Sequence, residues 1–276
     1  SHQSTMEKLV SNIHPDDIKK FQKTNGEFTD VGGWPGVTMN QDGEVTRIIW
    51  EGTFENPGQL DVQWVPPTVK EFVAKNCKLT SIGNLDRLPD SLENLDVSCN
   101  EVSGPLSFAN LPKNLKHMNI SENKFSGPLE LDKLPANIEH VELRKNGFVG
   151  ELPLVDLPNS LLTFFADENQ FCGPLNLSSL PKKMRRLNVS NNRLEGEAKF
   201  TQLPENMISL YAMNNQLIGM GEISNIPQAL ESIKVEGNLF SGYSIEGAVP
   251  QSMREVTVTV REGLDVERSD AVVVKT

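Results

Sequence analysis

The chain has 276 residues, of which 37% are hydrophobic and 23% are charged, and its formal net charge is −11 at pH 7. This acidity argues against nucleic acid or an anionic membrane as the main partner, because both bind basic surfaces. No apolar run approaches the roughly 18 residues that a membrane-spanning helix needs, so no membrane span is predicted.

A helix is the first predicted element, from residue 6 to about residue 23. Its apolar positions follow a loose helical spacing and are Leu9, Ile13, Ile18 and Phe21. Asn25-Gly26 provides a stop signal, and we expect the helix to cover the first coil of the domain that follows. The chain begins with Ser1, which indicates processing, trimming or a tag remnant, and no secretory or transit segment is recognisable.

A hairpin and three tryptophans follow the helix. Asp42-Gly43 lies between two apolar stretches, which predicts a tight turn between antiparallel strands. All tryptophans of the chain lie in this region, at Trp34, Trp50 and Trp64. We expect them to seal the open end of the hydrophobic core.

A repeat of 23 residues occupies the middle of the chain. Leu92-Glu-Asn-Leu-Asp-Val-Ser-Cys-Asn100 returns as Leu115-Lys-His-Met-Asn-Ile-Ser-Glu-Asn123. Prolines mark the repeat at Pro66, Pro89, Pro112, Pro135, Pro158, Pro181, Pro204, Pro227 and Pro250. Asparagines keep the same step at Asn100, Asn123, Asn146, Asn169, Asn192, Asn215 and Asn238. Such a period predicts an elongated solenoid in which each coil packs on its neighbours and a cap closes each end.

Each repeat is predicted to contain two extended segments. The first is a strand whose alternate residues point inward, such as Phe164 and Ala166 in one coil and Leu210 and Ala212 in another. The repeated asparagines should form a ladder that satisfies backbone groups at each bend. The return half, Gly-Pro-Leu-x-Leu-x-x-Leu-Pro, is too short for a helix, so we predict a short strand or extended turn around the Leu-x-Leu.

The repeat ends after Pro250. Residues 255–260 and 266–274 are rich in valine and predict two strands that cap the last coil. The predicted organisation is therefore an N-terminal cap over residues 1–64, repeats over residues 65–250 and a C-terminal β cap over residues 251–276.

The repeat motif, with its Asn-x-Phe-Ser-Gly-Pro-Leu continuation, resembles plant-type leucine-rich repeat proteins, and more closely those of unicellular eukaryotes such as trypanosomatids and algae. The Trp-x-Gly-Val string from Trp34 and the Gly-x-Val-x-x-Ile string from Gly43 resemble that family's N-terminal cap. The family carries a cysteine where this chain has Met39. The resemblance implies a mostly β, right-handed solenoid (horseshoe) with a parallel concave sheet and an extended convex side. It also implies a recognition scaffold or a part of a larger assembly, with no catalytic residues.

The cysteines bear on the compartment. Three of them, Cys77, Cys99 and Cys172, make an odd count, which does not favour a disulfide framework. Cys77 and Cys99 are expected to be buried or half-buried thiols, with a disulfide between them as the alternative. A reducing compartment is favoured. We predict an intracellular protein, located in an organelle if a targeting segment has been removed.

The outward strand positions vary between repeats, so the choice of partner should depend on them. Apolar, aromatic and arginine side chains gather at these positions in three consecutive coils, at Leu162, Phe165, Arg185, Arg186, Ile208, Tyr211 and Met213. His140 and Arg144 extend the set on the preceding coil. Aromatic residues, Met and Arg are enriched at binding hot spots, so we predict a partner-binding site here. The alternative is that these side chains simply pack on one another along the strands.

Other chemistry is less well supported. Two histidines and two carboxylates in neighbouring rows could ligate zinc, namely Asp96, His117, His140 and Glu142. Polar residues that are adjacent by chance are commoner, so neither a metal nor another cofactor is predicted. Nucleophile-elbow, phosphate-loop and zinc-protease motifs are absent from the sequence, so an enzyme is not predicted.

The predicted function is a non-catalytic interaction module that binds a protein or peptide on its concave face. The alternative is a structural subunit of a large organellar complex, such as a ribosome or a respiratory or photosynthetic assembly.

Overall fold

The computed structural model describes residues 1–262 and 266–272 and is a mostly β solenoid with parallel sheets and few helices. Its residues form two compact units. Unit 1 consists of Ser1–Ser126 with Lys133–Ile138, and unit 2 consists of Gly127–Asp132 with Glu139–Thr276. The finer predicted division into a cap, repeats and a second cap stays a prediction.

The N-terminal segment of unit 1 contains two short helices instead of one. Helix α1 spans His2–Leu9 and helix α2 spans Pro15–Ile18, with a 3₁₀ turn over Lys19–Phe21. The predicted single helix over residues 6–23 is therefore wrong. Pro15 explains the break, because proline lacks the N–H that a continuing helix needs and disfavours helical geometry in the residue before it. Helices in the described part of the chain are too short and polar to traverse a lipid bilayer.

The strands of unit 1 belong to successive coils. They are β1 Val37–Met39, β2 Val45–Glu51, β3 Gly58–Gln59, β4 Glu71–Lys75, β5 Leu79–Ser81, β6 Asn94–Asp96, β7 Ser103–Pro105, β8 His117–Asn119 and β9 Lys124–Gly127. β1 and β2 form an antiparallel hairpin around Asp42-Gly43, as predicted, and Gly43 has a φ of 76°. β2, β4, β6 and β8 pair in parallel, with Glu71 opposite Asn94 and Asn94 opposite His117.

An aromatic cluster closes the first coils of unit 1. Trp50 is fully buried and Trp34 nearly so, and both pack against Phe21, with ring centroids 5.7 and 4.6 Å away. Trp64 is only half-buried, and the Lys8 Nζ lies 4.1 Å from its ring centre. Trp34 and Trp50 are therefore part of the core, whereas the sealing of an open end by the tryptophans stays a prediction.

Position 36 of the N-terminal motif requires glycine. Gly36 has a φ of 74°, and a Cβ added there would clash with the carbonyl oxygen of Ile49. The Ile49 N–H donates to the Gly36 carbonyl at 2.8 Å, so the backbone of this turn lies directly against β2. A side chain at this position would separate the two segments.

The strands of unit 2 form two sheets. They are β10 His140–Glu142, β11 Gly147–Glu151, β12 Thr163–Phe165, β13 Gln170–Pro174, β14 Arg186–Asn188, β15 Arg193–Phe200, β16 Ser209–Tyr211, β17 Gln216–Ile223, β18 Ser232–Phe240, β19 Gly242–Ile245, β20 Glu255–Glu262 and β21 Val266–Val272. The even-numbered strands from β10 to β20 pair in parallel, and we call them the main sheet. β11, β13, β15, β17 and β19 also pair in parallel and form the return sheet.

The C-terminal hairpin adds to the main sheet. β20 pairs in parallel with β18, and β21 pairs antiparallel with β20. Two strands were predicted here, and the structure confirms both. The predicted end of the second strand, residues 273 and 274, lies outside the described residues.

The asparagine ladder holds the bends between the two strands of a coil. Asn192 is representative, because its Nδ2 donates to the carbonyls of Ala166 and Val189 at 3.0 and 3.1 Å. Its Oδ1 accepts the N–H of Phe171 at 3.0 Å. Each such amide satisfies backbone groups of two adjacent coils, which explains the strict recurrence of asparagine.

Cys77 occupies the asparagine column in unit 1 and replaces part of its bonding. The buried Sγ lies 3.2 Å from the carbonyl oxygen of Trp50, and burial raises the pKa of the thiol. Cys77, Cys99 and Cys172 are all free cysteines, so the alternative disulfide between Cys77 and Cys99 is not formed.

The return strands begin earlier than predicted. β13 ends at Pro174, before Leu175 and Leu177, although both leucines are buried as expected. β15 and β17 run past the equivalent glycines, Gly196 and Gly219, and reach Phe200 and Ile223 at the predicted positions. The inward positions predicted in the main sheet, including Phe164 and Ala212, are fully buried.

Candidate functional site

The candidate site lies on the outer face of the main sheet in unit 2, on strands β12, β14 and β16. Their register places Phe165, Asn188 and Tyr211 in one row. A second row precedes the strands, because the Arg185 N–H donates to the Leu162 carbonyl at 2.8 Å and the Ile208 N–H to the Arg185 carbonyl at 2.7 Å. Neighbouring strands are about 4.8 Å apart, so the predicted residues of three coils do lie on one area.

The apolar members of this area are half-buried. Leu162, Phe165, Ile208, Tyr211 and Met213 all fall between the buried and the exposed class. Part of their surface is therefore covered by neighbouring side chains, as the packing alternative requires, and part faces outward. Phe165 and Tyr211 are not adjacent, because Asn188 separates them by two strand spacings, about 10 Å. The aromatic rings offer two contact points with a polar residue between them.

Arg185 and Arg186 are the exposed members of the area. In the part of the chain that the structure describes, neither forms an ion pair. Their row neighbours explain this, because Arg185 lies between Leu162 and Ile208, and Arg186 lies between Thr163 and Ser209. In a chain of net charge −11, two guanidinium groups therefore have no carboxylate beside them in their rows, as far as the structure describes the chain.

The next basic residue along the sheet behaves differently. Lys234 Nζ lies 2.7 Å from Glu255 Oε1 and 5.7 Å from the ring centre of Tyr211. The hydrogen bond from Lys234 to Glu255 raises the pKa of the lysine. Sequence reasoning missed Lys234 as a neighbour of the site, although its position 23 residues after Tyr211 places it in the same row.

Asp167 is the second residue of the site that was not singled out. It is 8% exposed, and its Oδ1 is buried without a hydrogen-bond partner among the described residues. Burial raises the pKa of this carboxyl, while its own N–H and the charge of Arg144 oppose the rise. The signal was a break in a column, because Ser98, Ser121 and Ser190 occupy the equivalent positions of other coils.

The remaining predicted residues lie at the start of unit 2. His140 is opposite Thr163 in the register, and Arg144 lies two residues after β10; both are half-buried. They adjoin the area without belonging to its three central strands. Of the residues considered for zinc, Asp96 and His117 belong to unit 1 and His140 and Glu142 to unit 2, so the zinc hypothesis, which the sequence did not favour, is untested.

One cavity in unit 2 lies on the return side. Its volume is about 430 Å³, and its lining includes Leu175 and Asn176, which follow β13, and Lys199 of β15. None of the predicted site residues lines it. The predicted site residues lie instead in rows on the main sheet.

Comparison with known proteins agrees with the fold. No protein-family model and no curated protein sequence matches the chain. Among solved structures it is similar to a plant ice-binding protein, with a TM-score of 0.61, 17% identity and coverage of 92% of this chain and 89% of that chain. It is also similar to the Arabidopsis receptor kinase HAESA, crystallised with the peptide hormone IDA and the co-receptor SERK1, with a TM-score of 0.50 and 20% identity.

The second similarity covers 72% of this chain but only 38% of the receptor chain. At these identities the similarities concern the fold and not the function. The structural neighbours include leucine-rich repeat proteins, and the 23-residue spacing, the parallel sheets and the asparagine ladder all agree with them. The chain therefore has the fold of leucine-rich repeat proteins.

Proposed function

We propose that the protein is a non-catalytic interaction module that binds a protein or peptide on the outer face of the main sheet in unit 2. The observation that carries the proposal is the pair Arg185 and Arg186, both exposed and with no ion pair in the described chain, and the half-buried Leu162 and Ile208 on either side of Arg185. Arginine beside aromatic and aliphatic anchors is the composition of binding hot spots.

The charges indicate which partner fits. Other basic residues of the same sheet have carboxylates beside them, such as Lys234 with Glu255 and Arg254 with Glu231 at 3.5 Å. Arg185 and Arg186 lack such a neighbour among the described residues. An acidic group of the partner could therefore form an ion pair with either arginine without breaking an existing one. Charge-assisted hydrogen bonds of arginine to carboxylate are stronger than neutral ones. A partner with one or two carboxylates next to apolar side chains is therefore favoured.

The structural neighbours give limited support. The HAESA structure contains a peptide hormone and a co-receptor, so a protein of similar fold is known to bind such partners. This supports peptide or protein binding by analogy of fold only. The alternative function, a structural subunit of a large organellar complex, has no support from the features described above.

Ice binding is a further function suggested by a neighbour's name. A surface that matches a crystal lattice needs identical groups at regular spacing. The outward rows of unit 2 lack this regularity, because one reads Phe165, Asn188, Tyr211 and Lys234. The repeated asparagines are buried at the bends instead, as in Asn192 and Asn238. The surface therefore favours a protein ligand over ice.

The test uses a library of random 12-residue peptides displayed on phage and selected on the purified protein. Binding of the selected peptides should fall at least about tenfold in the double variant Phe165→Ala, Tyr211→Ala, because both contact points are lost. Arg185→Glu with Arg186→Glu should have a similar effect, and the selected peptides should be enriched in Asp and Glu. The matched control is Val149→Ala with Val249→Ala, which truncates two exposed apolar residues elsewhere.

Thermal unfolding decides whether a loss of binding reflects the surface or the fold. The aromatic variant should unfold within a few degrees of the wild type, since both side chains are only half-buried. Peptides that bind the aromatic and arginine variants as tightly as the wild type would contradict the proposal. An affinity pull-down that returns a whole assembly, with no loss in either variant, would instead support the structural-subunit alternative.

A further inference from the structure

The return sheet of unit 2 ends in an open edge. β19 is its last strand and pairs on one side with β17, and no other described strand pairs with its opposite side. The main sheet is different, because the hairpin of β20 and β21 extends it beyond β18. An unpaired edge presents backbone N–H and C=O groups that can bind a further strand.

The core side of this edge is incompletely covered. The register places Phe200, Ile223 and Ile245 in one row that faces the interior. Phe200 and Ile223 are 0% and 1% exposed, but Ile245 is only half-buried. Tyr243, which faces the same side, is half-buried as well. The coil that would cover these two residues is missing from the described chain, so apolar surface is left beside the free backbone edge.

The outer side of the same strands is apolar and acidic. Ile218 and Met220 on β17 are 46% and 47% exposed, the largest exposures among the big hydrophobic residues described. Glu222 follows on the same side of β17, and Glu246 is exposed immediately after β19. Among the described residues, Lys199 lies 3.9 Å from Glu222, and Glu246 forms no ion pair. The edge therefore carries two carboxylates, of which one is paired within the described part of the chain.

We propose that the edge of β19 binds an extended segment of a partner protein, which adds to the return sheet as its next strand. The alternate residues that face the core would be apolar and would cover Tyr243 and Ile245. The residues between them would be lysine or arginine, on the same side of the sheet as Glu246 and, across Ser244 of β19, Glu222. Strand addition of this kind combines backbone hydrogen bonds for affinity with side-chain alternation for specificity.

A second copy of this chain fits the edge less well than a basic partner. Pairing of two β19 strands would bring a second set of Glu222 and Glu246 close to the first, and like charges at an interface oppose association. The net charge of −11 adds to this repulsion at low ionic strength. Charge complementarity therefore selects a segment rich in Lys or Arg.

The experiment uses two synthetic nine-residue peptides with free ends blocked, which alternate Val with Lys or Val with Glu. Fluorescence anisotropy should show that the lysine peptide binds the full chain at least about ten times more tightly than the glutamate peptide. Hydrogen exchange should show slower exchange of the amides of residues 242–246 when the lysine peptide is bound. Absence of this protection would overturn the proposal, whatever the anisotropy shows.

Charge variants separate the edge from general attraction. Glu246→Lys should weaken binding of the lysine peptide about fivefold, because an opposing charge at the edge is reversed. Glu195→Lys makes the same change on β15, two strands away from β19, and should have little effect. Equal losses in the two variants would mean that the peptide follows net charge only and would overturn the proposal.

Self-association is the remaining outcome. Dimerisation of the peptide-free protein with protection of the same amides would assign the edge to a second copy and overturn the proposed partner. A chain that stays monomeric in analytical ultracentrifugation, and that shows protection of residues 242–246 only with the lysine peptide, would support it.

Discussion

The predicted N-terminal cap of unit 1, residues 1–64, and the body of unit 2 differ in how completely their polar groups are hydrogen-bonded and their apolar groups covered. In the cap, Phe21, Trp34 and Trp50 pack together, and the buried Asp17 accepts hydrogen bonds on both carboxylate oxygens. In unit 2, Ile245 and Tyr243 are partly uncovered, and the buried Asp167 has an oxygen without a described partner. Uncovered apolar surface and unpaired buried oxygens both lower stability.

This difference in satisfied groups is expected if one region ends the solenoid and the other binds a partner. A cap must stop the solenoid and gains from having every group satisfied. A binding surface keeps groups that become satisfied only when a partner arrives, so it is less stable than it could be. The cap is accordingly expected to respond to substitution with large losses of stability, and unit 2 with small losses or even gains at its incomplete positions.

The largest expected contrast lies within one row of the return sheet. Ile223→Ala should lower the free energy of unfolding by about 3 kcal/mol, because it leaves a cavity in a filled core. Ile245→Ala, the same change on the next strand, should cost only about 1 kcal/mol, since that side chain is half-buried. Urea denaturation followed by far-UV circular dichroism measures both. Equal losses would mean that the edge of β19 is as well covered as the interior.

The fold could be predicted from the sequence because the interactions that stabilise it recur in each repeat. A ladder amide such as Asn192 bonds the same backbone groups in every coil, so the residue recurs every 23 positions and is visible without coordinates. The single helix predicted over residues 6–23 is wrong because Pro15 interrupts it. The effect of a proline on the backbone is local and strong, and it outweighs a loose apolar stripe.

The candidate site could be predicted only in part. Register follows from the repeat, so the rows that contain Phe165 and Tyr211 were readable from the sequence. The row neighbours of Arg185 and Arg186 were readable in the same way, but the absence of ion pairs to them within the described chain depends on side-chain conformation, which the repeat does not specify. The burial of Asp167 and the open edge of β19 depend on tertiary packing, which a repeated pattern does not specify.

Asp17 tests the satisfied side of the comparison. Burial alone would raise the pKa of Asp17, but hydrogen bonds from the Glu55 and Asn56 backbone N–H groups and from Lys20 outweigh it and lower the pKa to about 2. Its carboxylate therefore stabilises the fold above about pH 4, and this contribution is lost as the pH falls towards 2. Asp17→Asn should cost about 2 kcal/mol at pH 7.

Tryptophan fluorescence is the measurement for Asp17, because Trp34, Trp50 and Trp64 all lie in the cap region. The difference in stability between Asp17→Asn and the wild type should shrink between pH 4 and pH 2, because the wild-type carboxylate is protonated there and becomes neutral, as the asparagine amide is at every pH. Asp16→Asn is the matched control, since Asp16 is exposed and bonded only to Lys19 and His14 neighbours. A constant difference over this pH range would show that the charge of Asp17 does not matter.

Asp167 tests the unsatisfied side, with the smallest expected effect. Burial raises the pKa of Asp167, so its contribution to stability is fully present below its unfolded pKa of about 4 and is lost as the pH rises through the folded value. Asp167→Ser introduces the residue that the next coil has at the equivalent position, Ser190. This variant should therefore raise the free energy of unfolding by about 1 kcal/mol at pH 7. The gain should disappear near pH 3, and Glu168→Gln beside it should produce no gain at either pH.

The same variant decides why the carboxylate is present. A residue that lowers stability is retained most readily where it contributes to binding. Asp167 lies two residues after Phe165, so Asp167→Ser should weaken the peptides selected on this face by about threefold while it stabilises the chain. If stability rises and binding is unchanged, Asp167 destabilises the fold without contributing to binding, and the binding surface ends at the row of Phe165 and Tyr211.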